Sequence, residues 1–255
     1  MNNSFLRNSA YAILDIVTLK RGIKRRINNI DVRFPVRWSR YYESNYEAGN
    51  YSFLQAQVKP GMHIIDIGAH LGLFSVVTSQ LTGNAGKIVC FEPTPGTYAV
   101  LLQTIKLNHC SNVIPVQGAV SNKAGSAVFY VSETAGCNSN SLVKNKSDKE
   151  AKGYEVKLFT IDGIVQGYSL HPGLIKIDAE GSELDVLQGG LHTFREFKPV
   201  LILGLHPDFI TKKGDSLDNI WDLLHQSGYH IKENENNLTR LDFCSRTLLF
   251  DVHCI

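Results

Sequence analysis

The stretch from His63 to Ser75, "HIIDIGAHLGLFS", decides the fold. Apolar residues run into Asp66, two glycines follow around His70, and a second apolar run begins at Leu71. A short β-branched run that stops at glycine and gives way to a helical pattern reads as strand, turn and helix. The same order recurs on both sides of a polar middle. "GKIVCF" reads as a strand before a helix over 96–108, and "NVIPVQGAV" as the next strand; later come "LIKID", a helix from about Ser182, "PVLILGL", and a helix from Leu217 to Gln226. "SAVFYVS" and "YEVKLFTID" read as further strands, and "YHIKE" and "SRTLLFDV" as a closing pair. Alternating strands and helices predict an α/β, doubly wound, mostly parallel sheet covered on both faces.

Composition narrows the classes. The 255 residues are 43% hydrophobic and 20% charged, enough to bury a sizeable core. Twenty-six basic and 24 acidic side chains leave +2, which gives no electrostatic reason to expect nucleic acid as a partner. Five dispersed cysteines without a C-x-x-C pair point to a reducing, cytoplasmic setting rather than a structural metal site. No apolar run is long enough to span a bilayer, and the basic cluster from Lys20 to Arg26 follows the apolar segment instead of preceding it, the wrong order for a secretory leader.

Two units are expected: a helical and lid-like extension over 1–57, and a cofactor-binding domain over 58–255. The extension begins with an amphipathic helix reaching to about Ile27, expected to pack or to form a homodimer rather than to lie on a membrane. The polar loop from Glu133 to Lys152 completes the variable parts.

In an open α/β sheet, ligands bind where strands end, and "DIGAHLG" lies at such an end. Gly68 and Gly72 allow a tight turn and close backbone approach, but their G-x-x-x-G spacing departs from the dinucleotide fingerprint. A carboxylate at the mouth of the turn repels a diphosphate and attracts a cationic, phosphate-free nucleoside. S-adenosylmethionine is such a ligand. Glu92 ends the next strand, where an acidic residue accepts hydrogen bonds from ribose hydroxyls. A helix-capping role for Asp66 is the structural alternative.

At these residues the chain resembles the class I S-adenosylmethionine-dependent methyltransferases, and within them the FkbM family. The matching stretches are "VKPGMHIIDIGAHLGLFS", "GKIVCFEPTP", "NVIPVQGAVSNKAGSAVFYV", "LIKIDAEGSELDVLQGG" and "KPVLILGLHP", in the family's order. The resemblance implies a Rossmann-like sheet of seven strands with a last antiparallel strand, S-adenosylmethionine as donor, and a hydroxyl of a sugar or secondary metabolite as acceptor. The implied cofactor-binding set is Asp66, Gly68, Ala69, His70, Gly72, Phe74, Glu92, Pro93, Ala119 and Val120. The family often has Asn where His70 stands and an acidic residue where Gly204 stands.

An alcohol must lose its proton to attack a methyl group, so a general base is expected near the crevice. His206, Asp178 and Glu180 end adjacent strands. His206 is preferred as base because an imidazole accepts a proton near neutral pH, with Asp178 or Glu180 orienting it or the acceptor. Asp178, His206 and Asp208 around a divalent cation form a less favoured alternative. Tyr46, Glu47, Asn140 and Ser141 are candidates for a lid. The exocyclic-amine signature is absent after "LIKID", where "DAEG" stands. Two rivals remain at this stage: a nicotinamide-dependent oxidoreductase, and a scaffold that keeps the cofactor fold without turnover.

Overall fold

A computed structural model describes residues 17, 18, 21–131 and 152–255. The expected helix through residues 1–16 and the loop with Asn140 and Ser141 lie outside the described residues. Ile23–Ile27 (β1) and Ile30–Phe34 (β2) form an antiparallel hairpin, not the tail of a helix. The cause is local: "IKRRI" and "IDVRF" place alternate residues on opposite faces, and Asn28 and Asn29 both take positive φ, as a two-residue hairpin turn requires. A short 3₁₀ turn at Val36–Trp38 is followed by the helix Ala48–Gln57 (α1).

The expected alternation follows. It runs His63–Ile67 (β3), Leu73–Thr82 (α2), Lys87–Glu92 (β4), Pro95–Leu107 (α3) and Val113–Gln117 (β5). Ala119–Val120 (β6), Gly125–Val131 (β7) and Lys152–Phe159 (β8) make a separate three-stranded sheet. "NVIPVQGAV" is therefore two strands in two sheets, parted at Gly118. The chain crosses there too closely for a side chain, since a Cβ would come 2.7 Å from the Phe159 ring and 2.8 Å from the Lys157 carbonyl. Ile161–Tyr168 (α4), Pro172–Asp178 (β9), Glu183–Gln188 (α5), Leu191–Phe197 (α6) and Val200–Leu205 (β10) come next. Pro207–Lys213 (α7), Leu217–Gln226 (α8), Ile231–Glu233 (β11), Asn236–Asn237 (β12), Arg240–Cys244 (α9) and Phe250–Cys254 (β13) complete the chain.

The main sheet has the order β12-β11-β13-β10-β9-β3-β4-β5. From β10 to β5 the strands are parallel, and β13 runs antiparallel beside β10. These are the expected seven strands with an antiparallel last one, plus a two-residue edge strand at β12. β3, β4 and β10 are buried along nearly their whole length because helices cover both faces.

Alternation within the strands divides the core. Ile65, Ile67, Val89, Ile175, Ile177 and Leu203 pack toward α4–α6 and α8. Ile64, Ile88, Cys90, Leu174 and Ile202 pack toward α1–α3 and the hairpin. The winding direction reverses between β3 and β9, and an α/β sheet opens a crevice at such a point. Leu203→Ala removes a fully buried side chain from the central sheet. It is expected to cost about 2–5 kcal/mol, measured as a lowered urea midpoint at unchanged slope.

Candidate active site

A cavity of about 810 Å³ opens over the carboxyl ends of β3, β4, β9 and β10. At one end the β3–α2 turn meets the end of β9. Gly68 has φ 79°, and a Cβ on it would lie 2.0 Å from the Asp178 carbonyl oxygen, so only glycine fits. Gly68, Ala69, His70 and Phe74 line this end, as do Glu92 and Pro93 at the close of β4 and Ala119 and Val120 beyond β5.

Asp66 and Gly72, expected with this set, stand behind the cavity wall and not in it. Asp66 shares its sheet face with Ile64, so its side chain lies beneath α2 and is fully buried. It accepts a hydrogen bond of 2.5 Å from Ser75 Oγ and lies 3.9 Å from Lys176 Nζ. Burial raises its pKa, with the Lys176 charge and the Ser75 bond opposing. Gly72 instead begins α2 at φ 90°, tight against Leu101.

Glu92 is placed at the cavity wall. Its carboxylate accepts the backbone N–H of His70 at 3.0 Å and of Thr94 at 2.9 Å. Burial nevertheless pushes its pKa up to about 7. His70 hydrogen-bonds Tyr42 Oη through Nδ1 at 3.1 Å and packs 5.0 Å from the Tyr41 ring. Burial lowers the His70 pKa to about 4, so the ring is neutral.

At the other end stand Asp178, Glu180 and His206, brought together as the strand ends predict. His206 Nδ1 donates to Glu183 Oε1 at 2.9 Å, and its Nε2 lies 3.7 Å from Asp178 Oδ1. Glu183 is fully buried, and the same oxygen accepts the Gly181 N–H at 2.9 Å. Burial disfavours the imidazolium, but the hydrogen bond and charge of Glu183, with the charges of Asp178 and Glu180, outweigh it and raise the His206 pKa. A carboxylate on Nδ1 fixes the neutral tautomer, leaving Nε2 as the proton acceptor on the cavity side.

Lys176 joins the two ends: its ammonium donates to the Gly68 carbonyl at 3.0 Å and to Asp178 Oδ2 at 3.3 Å. Asp208 is exposed in the first turn of α7 and outside the cavity, so the cation set with Asp178 and His206 is not assembled. Among the described residues no group of three His, Cys, Asp or Glu side chains is placed to hold a metal ion. Trp38, Tyr41, Tyr42, Tyr46, Glu47 and Tyr51 bring the extension over the cavity. Glu47, His70 and Glu180 all line it with left-handed backbone, at φ 44°, 51° and 45°. Such strained conformations persist where the surroundings enforce them, and they gather at functional sites.

Sequence reasoning missed Lys176, Glu183 and Asp251. Lys176 was within reach, because it lies two residues before Asp178 and so points to the same sheet face. Glu183 lies within the family-like stretch "LIKIDAEGSELDVLQGG", though nothing there marks it as the partner of His206; Asp251 carries no local signal, and tertiary packing places it.

The Methyltransferase FkbM domain matches residues 66–231. The methyltransferase sdnD of Sordaria araneosa is 32% identical over 158 aligned residues, covering 49% of this chain and 59% of that protein. The hexuronic acid methyltransferase AglP of Haloferax volcanii is 26% identical over 153, covering 58% of this chain and 59% of that protein. The matches span about three fifths of the length of these curated relatives. Among solved structures, a Clostridium thermocellum protein described as an rRNA-methylase superposes with a TM-score of 0.50 at 9% identity, covering 84% of this chain and 96% of that one, which shows a shared fold. With the domain match running from the end of β3 to the start of β11, the chain belongs to the FkbM methyltransferase family.

Proposed function

We propose that this chain is an S-adenosylmethionine-dependent O-methyltransferase acting on a hydroxyl of a sugar or secondary metabolite, with residues 58–255 as the catalytic unit and 1–57 as a covering arm. The observation that carries the reading is the His206 imidazole, held through Nδ1 by buried Glu183 with Nε2 left toward the cavity. This is a proton acceptor built beside a nucleoside-sized crevice. Buried free thiols at Cys90, Cys110 and Cys254 support a cytoplasmic setting.

The residues at the β3 end fit the donor. Gly68 leaves a cradle that a Cβ would fill, and the Glu92 carboxylate faces the cavity where a ribose diol would donate to it. Ala119, Val120 and Phe129 offer an apolar wall suited to a purine. When bound, S-adenosylmethionine supplies an electrophilic methyl on a sulfonium whose sulfur leaves as a neutral thioether. The chain's own work is to position the hydroxyl, exclude water and remove a proton. His206 Nε2 would take the proton of the acceptor hydroxyl. Glu183 and Asp178 then stabilise the imidazolium.

Titration calorimetry with S-adenosylhomocysteine and NADP tests the donor assignment; binding of NADP alone rejects it in favour of an oxidoreductase. An ionised Glu92 accepts hydroxyl bonds more strongly than a protonated one, and burial pushes its pKa up to about 7. Lowering the pH from 8 to 6 is therefore expected to weaken S-adenosylhomocysteine binding by up to about tenfold, and Glu92→Gln to give a weak, flat profile.

The base assignment has its own readout. His206 works in its neutral form, so kcat/KM should fall as the pH drops through a midpoint above the ordinary histidine value near 6.5. Glu183→Gln removes the charge that raises that midpoint and should move the acidic limb to lower pH. His206→Ala is expected to lower kcat by about 10²–10⁴ while S-adenosylhomocysteine affinity stays within about twofold. Unchanged kcat in that variant rejects His206 as the base.

A further inference from the structure

We infer that Asp251 is an acceptor-binding carboxylate of this cavity, and that with Asp178 it selects an uncharged polyol, a molecule offering neighbouring hydroxyls and no carboxylate or phosphate. The inference rests on the methyl-transfer reading above and extends it to the class of acceptor.

Asp178, Gly204 and Asp251 stand side by side on β9, β10 and β13, in one row of the sheet. All three line the cavity. A Cβ on Gly204 would lie 3.3 Å from Asp251 Oδ1 and 3.5 Å from Asp178 Oδ1. Two carboxylate oxygens thus flank a strip of bare backbone. Gly204 is not among the glycines with positive φ, so the chain conformation does not demand glycine there. What the missing side chain provides is a slot.

Asp251 is aimed into that slot from behind. Its Oδ2 accepts from Asn50 Nδ2 at 3.0 Å, while Asn50 Oδ1 accepts from His253 Nε2 at 2.9 Å. His253 is buried and stacked on Phe53 with ring centroids 3.8 Å apart. This chain of contacts from α1 to β13 orients the carboxylate and leaves Oδ1 facing the slot. Oδ1 has no hydrogen bond among the described residues.

The chemistry of the walls chooses the occupant. Ionised carboxylates are acceptors only and pair with hydroxyl donors. Glu47 adds a third carboxylate, sharing the Asn50 amide at 3.3 Å, and Tyr46 beside it offers a ring face for the carbon skeleton. Among the described residues lining the cavity, Lys176 is the one Lys or Arg, and it is committed to Gly68 and Asp178. An anionic acceptor would meet the like charges of Asp178, Asp251 and Glu47, and among the described lining residues no side-chain cation is left to pair with it. A neutral polyol meets acceptors for its O–H groups.

The test uses full-length protein, tritiated-methyl S-adenosylmethionine, and an extract of the cells that make the protein, separated by anion exchange into neutral and acidic pools. Label is expected in the neutral pool. For the compound that takes it up, Asp251→Asn should raise KM about tenfold, with kcat and S-adenosylhomocysteine affinity within about twofold. Gly204→Ala, which narrows the slot, should reduce transfer similarly at unchanged donor affinity. Retained S-adenosylhomocysteine binding certifies that each variant is folded. Label in the acidic pool overturns the acceptor class, and an unchanged KM in both variants overturns the role of Asp251. Absence of label from both pools despite donor binding rejects methyl transfer itself, and this inference with it.

Discussion

Lys176 holds the site together. Its ammonium is enclosed at the point where the sheet reverses its winding, with the Gly68 carbonyl on one side and the carboxylates of Asp178 and Asp66 on others. An unpaired ammonium at that depth would shed its proton, since burial penalises the charged form. The two acidic neighbours reverse that tendency and carry its pKa above the ordinary lysine value despite burial. One cation thereby fixes the β3–α2 turn to the carboxyl end of β9. It also offsets the charge of Asp66, which would otherwise be stranded beneath α2.

The extension supplies the other constraint. The sheet alone leaves the crevice open toward the hairpin side, and the aromatic run after β2 closes it. Tyr42 reaches His70 in the β3–α2 turn, and Asn50 reaches Asp251 beside Gly204. The same segment therefore touches both halves of the cavity, and the hairpin core with Phe34, Tyr42, Tyr51 and Leu54 anchors it to α2 and α3.

The parts legible in the sequence were those with a local cause. Runs such as "HIIDI" and "VLILGL" are apolar throughout because both sheet faces are covered, and "DIGAHLG" declared its turn through glycine. Asp178 and His206 met as neighbours because strand ends in such a sheet converge on one crevice. The negative charge of Asp66 is plain in the sequence, but its direction follows from parity: counting in twos from Ile64 puts the side chain under a helix. The isoleucines of β1, Ile23 and Ile27, fit a helical period as well as a strand period, and it is the paired asparagines after them that turn the chain into a hairpin. Asp251 was beyond reach, since its position opposite Gly204 depends on a pairing across 47 residues of chain.

The left-handed residues around the cavity have a consequence for how this protein tolerates change. Glycine at position 47, 70 or 180 would relax the backbone by about 1 kcal/mol each, yet the chain keeps two glutamates and a histidine there. Selection for heat resistance alone would favour exchanging them for glycine, trading side chains at the cavity wall for relief of backbone strain. Hardening this fold by directed evolution should therefore hold those sites constant and seek its gains on the far side of the sheet, among α4, α6 and α8.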